Sequence, residues 1–265
     1  GVVLAAVGTA PTLWLHATLL FAASALATRL PRPARPAEAA PRRDWATEFR
    51  VGMRVNWAIP LERGWILCNF VTAIFMMPGV MMLVPLKVQS LGLSASWLGW
   101  CEAALSLGML AGSLGPAQWW ADLQGRFATR VTSSVVAGLA LAGAGLTSDP
   151  RVLVAMFAIL GVANAAMTLV GKTHRMLARP LAFRARMSAG AMMTTQVAMT
   201  LGPALAGIAL AHWSVRTVYV AFGLLSALGS FGFFAVPGFR AFMALSHDEV
   251  DGWYGRTYPE AFARA

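Results

Sequence analysis

The sequence predicts an all-α integral membrane protein, and three observations carry that reading. Of the 265 residues, 58% are hydrophobic before the 25 glycines are counted, where soluble domains reach roughly half with glycine included. Charged residues make up 12%, about half the usual share, and mean hydropathy is +0.63. The apolar residues come in blocks near the length of about 20 residues that crosses a bilayer. A water-soluble globule, a disordered chain and a collagen-like repeat are thereby excluded. The two cysteines, Cys68 and Cys101, lie in apolar runs and imply no disulfide framework.

Full spans are expected at 12–28, 64–86, 97–119, 131–147, 152–171, 187–211 and 217–237, about seven in all. Residues 1–8 read as the end of an earlier span, cut from the next by Gly8-Thr9-Ala10-Pro11. The chain opens inside an apolar run without a methionine or a charged leader, so a fragment of something longer is expected. The long connection 29–63 begins with an extended Pro/Arg linker, Pro31-Arg32-Pro33-Ala34-Arg35-Pro36. Residues 44–57 then suit an amphipathic helix with Trp45, Phe49 and Met53 on one face. Such a connection separates two helical bundles.

The net charge of +10 would suit nucleic acid, but the placement of the charges argues otherwise. All 21 Lys and Arg fall in connections, and alternate connections hold 18 and 3 of them. That asymmetry is the positive-inside signature. It places the 29–63 loop and the 238–265 tail in the cytoplasm, with no nucleic-acid partner. Trp65, Trp97, Trp100, Trp119, Trp120 and Trp213 mark span ends, as interfacial aromatics do.

Several stretches resemble the C-terminal half of a major facilitator superfamily transporter. Ala121-Asp122-Leu123-Gln124-Gly125-Arg126 is similar to the family's Asp-Arg-x-Gly-Arg-Arg loop between helices 8 and 9, with Leu123 and Phe127 in place of basic residues. The run from Pro180 through Arg184, Ala185, Arg186 and Ser188 resembles its Pro-x-x-x-Arg-Gly-Arg-Val-x-Ser before helix 11, with Ala185 for the glycine. Gly202-Pro203-Ala204-Leu205-Ala206-Gly207 resembles its Gly-Pro-x-x-x-Gly packing motif, and Leu83-Val84-Pro85-Leu86 with Leu91-Gly92-Leu93-Ser94 resembles the passage from helix 7 to helix 8. The resemblance implies the branch of drug and siderophore exporters similar to the enterobactin exporter. In that register 1–8 ends helix 5, 12–28 is helix 6, 64–237 is a six-helix bundle of helices 7–12, and helices 1–4 are absent. It also implies a cell (inner) membrane location, a small-molecule cargo, a proton as coupling ion, and partnership with the missing helices of the same transporter. Asp122, Gly125, Arg126, Arg184 and Arg186 would then form a cytoplasmic gate motif.

Soluble-enzyme constellations are missing. The four histidines are scattered, without metal spacing, and no Gly-x-x-x-x-Gly-Lys phosphate loop occurs. No cofactor or metal is expected, and no enzymatic activity. Three polar stripes remain: Asn69, Thr72, Met76 and Gly79; Gly161, Asn164, Thr168 and Gly171; Gln196, Thr200, Pro203 and Gly207. Each suits a cavity lining, with Pro78-Gly79 loosening its helix at mid-depth, and each equally suits interhelical glue. Met76, Met77, Met81, Met82, Met192 and Met193 suit either an adaptable cargo surface or lipid-facing filler. Gly108, Gly112 and Gly115, like Gly138 and Gly145, read as close-packing faces.

Glu102 is the one acidic residue expected inside a span, on a buried face with Gly99, Ser106 and Ser113. It is a candidate for the coupling proton or a cationic part of the cargo, or a side chain that snorkels to the interface. The functional expectation is proton-coupled efflux of a small amphipathic compound. The alternative is a non-transporting, membrane-embedded half that assembles with or regulates a partner.

Overall fold

The computed structural model describes residues 7–29 and 44–263, so the apolar start and the Pro/Arg linker lie outside the described residues. Among the described residues every regular element is helical: α1 (Thr9–Ala27), α2 (Trp45–Ala58), α3 (Pro60–Met81), α4 (Leu83–Ser90), α5 (Ser96–Ser113), α6 (Pro116–Leu146), α7 (Pro150–Ala178), α8 (Arg184–Leu210) and α9 (Val215–Gly229). A 3₁₀ turn, Ser230–Ala235, continues α9, and the tail forms α10 (Phe239–Ala244), α11 (His247–Val250), α12 (Trp253–Thr257) and α13 (Pro259–Ala263).

Among the described residues, six stretches are long and apolar enough to cross a membrane: Ala10–Ala27, Pro60–Met81, Pro116–Leu146, Pro150–Ala178, Leu181–Leu210 and Val215–Ala235. The expected span at 97–119 is not among them. Its helix α5 stops at Ser113, and Glu102, two tryptophans and three serines dilute its hydropathy. The chain breaks at Leu114-Gly115 and Pro116 opens α6, because proline at a first helical position gives up only an unused N–H. Trp119 and Trp120 therefore belong to α6. Even so, α5 is about 27 Å long and packs closely along α7.

Glycines set that contact. Gly108 lies against the backbone of Ala158, Gly112 against Val162 and Ala165, and Gly161 against Leu105 and Met109. The rising numbers on both sides make α5 and α7 parallel. Gly138 and Gly145 do the same for α6 against α9, running antiparallel, with Gly223 returning the contact to Ala142. Gly115 faces open space instead.

A kink divides α6 at Gly125, whose φ of +82° is open to glycine at little cost. Beyond it α6 packs antiparallel to α7, and Asp149 caps α7 by accepting from the Arg151 N–H at 2.8 Å. The helix α3 runs antiparallel to α9, with Phe75 and Phe222 edge to face at 5.4 Å, and parallel to α8. Pro78 has no N–H to give the Ile74 carbonyl, and Gly202 of α8 fits against that carbonyl and the Pro78 ring. The helix nonetheless passes through Pro78-Gly79 and ends only at Met81.

Charge placement departs from the sequence reading. Lys87 is buried, and its Nζ donates to the Gly145 carbonyl at 2.7 Å, serving an otherwise unpaired carbonyl at the C-terminal end of α6. Arg130 and Arg179 are buried as well, and Arg175 lies inside α7, which extends to Ala178. The amphipathic helix is present as α2, but Gly52, Val55 and Asn56 form its buried face and Trp45 is exposed. Helix α1 has none of its membrane-length window buried.

The tail docks on the end of the bundle where α3 and α8 begin and α7 ends. Phe239 and Phe242 meet Trp65 edge-on at 4.8 and 6.2 Å, and Tyr254 stacks on Phe242 at 5.7 Å. The Gly252 N–H donates to the Leu177 carbonyl at 3.0 Å. Burying large apolar side chains such as Phe239, Phe242 and Met243 contributes about 1.5–3 kcal/mol each, enough to hold a short tail in place.

Candidate functional site: a basic cleft under the tail

A cleft of about 510 Å³ opens at this basic end between α3, α6, α7 and α8. Its polar lining comprises Asn69 of α3, Arg130 of α6, Thr168, Lys172, Arg175 and Arg179 at the end of α7, and Ser188, Thr195 and Gln196 of α8; Trp65, Met167, Met176 and Met192 complete it. A larger hollow, about 650 Å³, lies between α2 and tail residues 257–261. It touches none of the long apolar helices, so the cleft is the better candidate for membrane chemistry.

Behind the mouth lies Glu62, fully buried in the first turn of α3. Arg175 grips it with a fork: Nε donates to Oε1 and Oε2 at 2.9 and 3.0 Å, and Nη2 to Oε1 at 2.7 Å. Arg179 donates to the same carboxylate, and the Tyr254 hydroxyl donates to Oε2 at 2.9 Å. One carboxylate thus joins α3, α7 and the tail. Burial, and then the neighbouring carboxylate, raise the Tyr254 phenol well above its ordinary pKa, so it remains a protonated donor. Arg179 also donates to Ser188 at 2.8 Å, and the Arg175 guanidinium lies 5.2 Å from the Trp65 ring centre. Gly171 leaves room for that ring.

Further in, Arg130 stands 4% exposed. Its Nη2 donates to Asn69 Oδ1 and its Nη1 to Ser134 Oγ at 3.1 Å, while the guanidinium lies 4.8 Å from the Phe233 ring centre.

Of the stripe residues, Asn69, Thr168 and Gln196 line the cleft together. Thr72 turns the other way, into the contact with α9, where its backbone carbonyl accepts from Ser226 Oγ at 3.5 Å. Asn164 faces α5, with Nδ2 3.6 Å from Met109 Sδ. Thr200 is exposed on α8 beyond Gln196, whose carbonyl accepts its hydroxyl at 3.1 Å. Glu102 is exposed on α5 and does not reach the cleft; Ser106 and Ser113 are exposed with it and Gly99 is buried, where the sequence predicted a buried face throughout.

The expected gate residues gather at the same end. Asp122 accepts from Gln118 Nε2 at 2.8 Å, one turn back. Gly125 makes the kink, and Arg126 reaches the tail, donating to the Leu245 carbonyl at 2.7 Å. Arg184 pairs with Asp251 of the tail at 3.3 Å and donates to the Arg179 carbonyl at 3.0 Å. Arg186 pairs with Glu48 of α2. The three arginines among them clamp the tail and α2 to the bundle.

Sequence reasoning missed Glu62, Arg130, Arg175 and Tyr254. Glu62 passes for a carboxylate at a helix start, since acids belong there, and the arginines for loop charges. The available signal was spacing: Arg175 and Arg179 are four apart, on one face of a helix.

The family described as Major Facilitator Superfamily matches residues 88–242, more than half the chain. No curated protein and no solved structure matches significantly. Helix-only architecture, membrane-length segments and a polar cleft between them agree with that match, and the chain belongs to the Major Facilitator Superfamily, as a multi-pass membrane transporter.

Proposed function

We propose that the chain serves proton-coupled efflux of a small amphipathic compound, a drug or a siderophore, across the cell (inner) membrane, with the basic end in the cytoplasm. The observation that carries this is the convergence of Asn69, Thr168 and Gln196 on one cleft between membrane-length helices. In this reading 64–237 is the C-terminal bundle, α1 is helix 6, and an N-terminal bundle of the same transporter covers the exposed edges of α5 and α8. Glu102, on the α5 edge, carries the coupling proton; Asp122, Gly125, Arg126, Arg184 and Arg186 act in gating.

The test is dye flux in proteoliposomes holding the full-length transporter under an imposed proton gradient. Glu102→Gln keeps shape and hydrogen bonding but removes the titrating charge, so flux should lose its pH dependence. Asp122→Asn should slow flux while leaving dye affinity within twofold or so, a small change on the scale where tenfold is 1.4 kcal/mol. Gradient-independent flux in the parent protein would overturn proton coupling. Normal flux and pH dependence in Glu102→Gln would remove that residue from the mechanism.

Orientation has its own measurement. In a variant lacking Cys68 and Cys101, Ser90→Cys and Ser148→Cys should react with an impermeant thiol reagent in intact cells, whereas Leu181→Cys, at a position 80% exposed, should not. Labelling of Leu181→Cys from outside would reverse the orientation, which rests on the positive-inside asymmetry.

A further inference from the structure

We propose that the cleft selects cargo bearing an anionic group, a carboxylate in the simplest case, and that Arg130 receives it. This rests on the reading of the cleft as a cargo path.

Charge is the first argument. Four cationic side chains line the cleft, Arg130, Lys172, Arg175 and Arg179, and no carboxylate is among the lining residues. Glu62, behind the mouth, pairs with Arg175 and Arg179. Arg184 and Arg186 have Asp251 and Glu48. Arg130 makes no ion pair among the described residues, although it is buried within a membrane-length helix. Its contacts are an amide oxygen, a hydroxyl, a backbone carbonyl and an aromatic face. Those groups solvate a guanidinium without neutralising it.

Geometry is the second. A guanidinium has five N–H donors in a fixed fork, and a carboxylate meets two of them side by side. The hydrogen bonds of Arg130 use Nη1 and Nη2, while its Nε is buried and has no hydrogen-bond partner. A buried unpaired donor on a charged group is costly, and intramembrane charges mark pathways for substrates or ions. Nη2 already donates to Asn69 Oδ1, so a carboxylate would meet the Nε–Nη2 edge by displacing that amide and giving the buried Nε an acceptor. Met167, Met176 and Met192, lining the same cleft, offer the adaptable apolar surface that the rest of an amphipathic molecule needs.

Two xanthene dyes of similar size and opposite charge provide the test: 5-carboxyfluorescein, anionic, and rhodamine 6G, cationic. Their binding is measured by fluorescence anisotropy with the full-length transporter in phosphatidylcholine nanodiscs. Carboxyfluorescein should bind, and Arg130→Gln should weaken it about tenfold or more, the scale of a hydrogen bond to a charged group. Arg130→Lys should restore part of the loss, and rhodamine 6G binding should be unaffected by either variant. Should Arg130→Gln not fold, Lys172→Gln at the exposed rim should still weaken carboxyfluorescein selectively. Equal affinity in the variants, preference for the cationic dye, or no carboxyfluorescein binding would overturn the proposal. So would loss of dye binding when phosphatidylglycerol is added, which would assign the site to a lipid headgroup. Flux separates the two readings: gradient-driven movement of both dyes, indifferent to Arg130, sinks only the anion selectivity. Arg130-dependent binding without driven flux sinks only transport.

Discussion

Glu62→Ala is expected to be among the most damaging single substitutions in the chain, at about 3–5 kcal/mol of stability. The reason lies in what it leaves behind. Arg179 and Arg175 keep side-chain exposures of only 4% and 15% and would face each other without the carboxylate that both grip. Tyr254 would lose the acceptor for a buried hydroxyl. Coulombic attraction would turn to repulsion at the junction of α3, α7 and the tail. Thermal unfolding of the purified protein in detergent should show the loss, and protease accessibility of residues 246–263 should rise as the tail detaches. Glu62→Gln should fall between parent and Ala, since an amide keeps an oxygen acceptor but not the charge. Parent-like unfolding of Glu62→Ala would refute the prediction, because it would mean that Arg175 and Arg179 find other partners once the carboxylate is gone.

Gly138→Val should separate α6 from α9. A Cβ at position 138 would lie 2.6 Å from both the Ala227 nitrogen and the Gly223 carbonyl oxygen, well inside van der Waals contact. Backbone atoms cannot rotate aside as a side-chain tip can, so the helices must move apart. The cost belongs at the upper end of the overpacking range, about 3 kcal/mol. Within a bilayer the loss is felt directly, because close packing rather than water exclusion holds helices together. Gly207→Val is the control, since a Cβ there meets nothing within 4 Å and stability should stay nearly unchanged. Equal unfolding temperatures for the two variants would refute the assignment of Gly138 to a close-packed face.

Much of this architecture is legible in the residue order. Apolar block length determines which segments can cross a bilayer, because unsatisfied backbone groups leave a spanning chain little choice but helix. Glycines four apart on α5 (Gly108, Gly112) and seven apart on α6 (Gly138, Gly145) mark their close-packed faces, since backbone approach requires a missing side chain and little else.

The site was legible only in part, and the boundary has a physical cause. A polar stripe records that one side of a helix avoids lipid, but not which neighbour it meets. Asn69 and Thr72 are three residues apart, yet the first lines the cleft and the second packs toward α9. Charge follows the same logic. Positive-inside counting assigns Arg130, Arg175 and Lys87 to connections because it treats each as an isolated ion seeking water. Tertiary structure gives Lys87 a carbonyl, Arg175 the Glu62 carboxylate and Arg130 an amide oxygen, and a buried cation is tolerated once donors find acceptors. Residue order by itself determined that this chain is a helical membrane protein with close-packed glycine faces. Which charges leave the surface, and which of them meet in one cleft, only the packing of α3, α6, α7, α8 and the tail decided, since an ion's burial depends on partners more than 100 residues away in sequence, as Glu62 and Arg175 are.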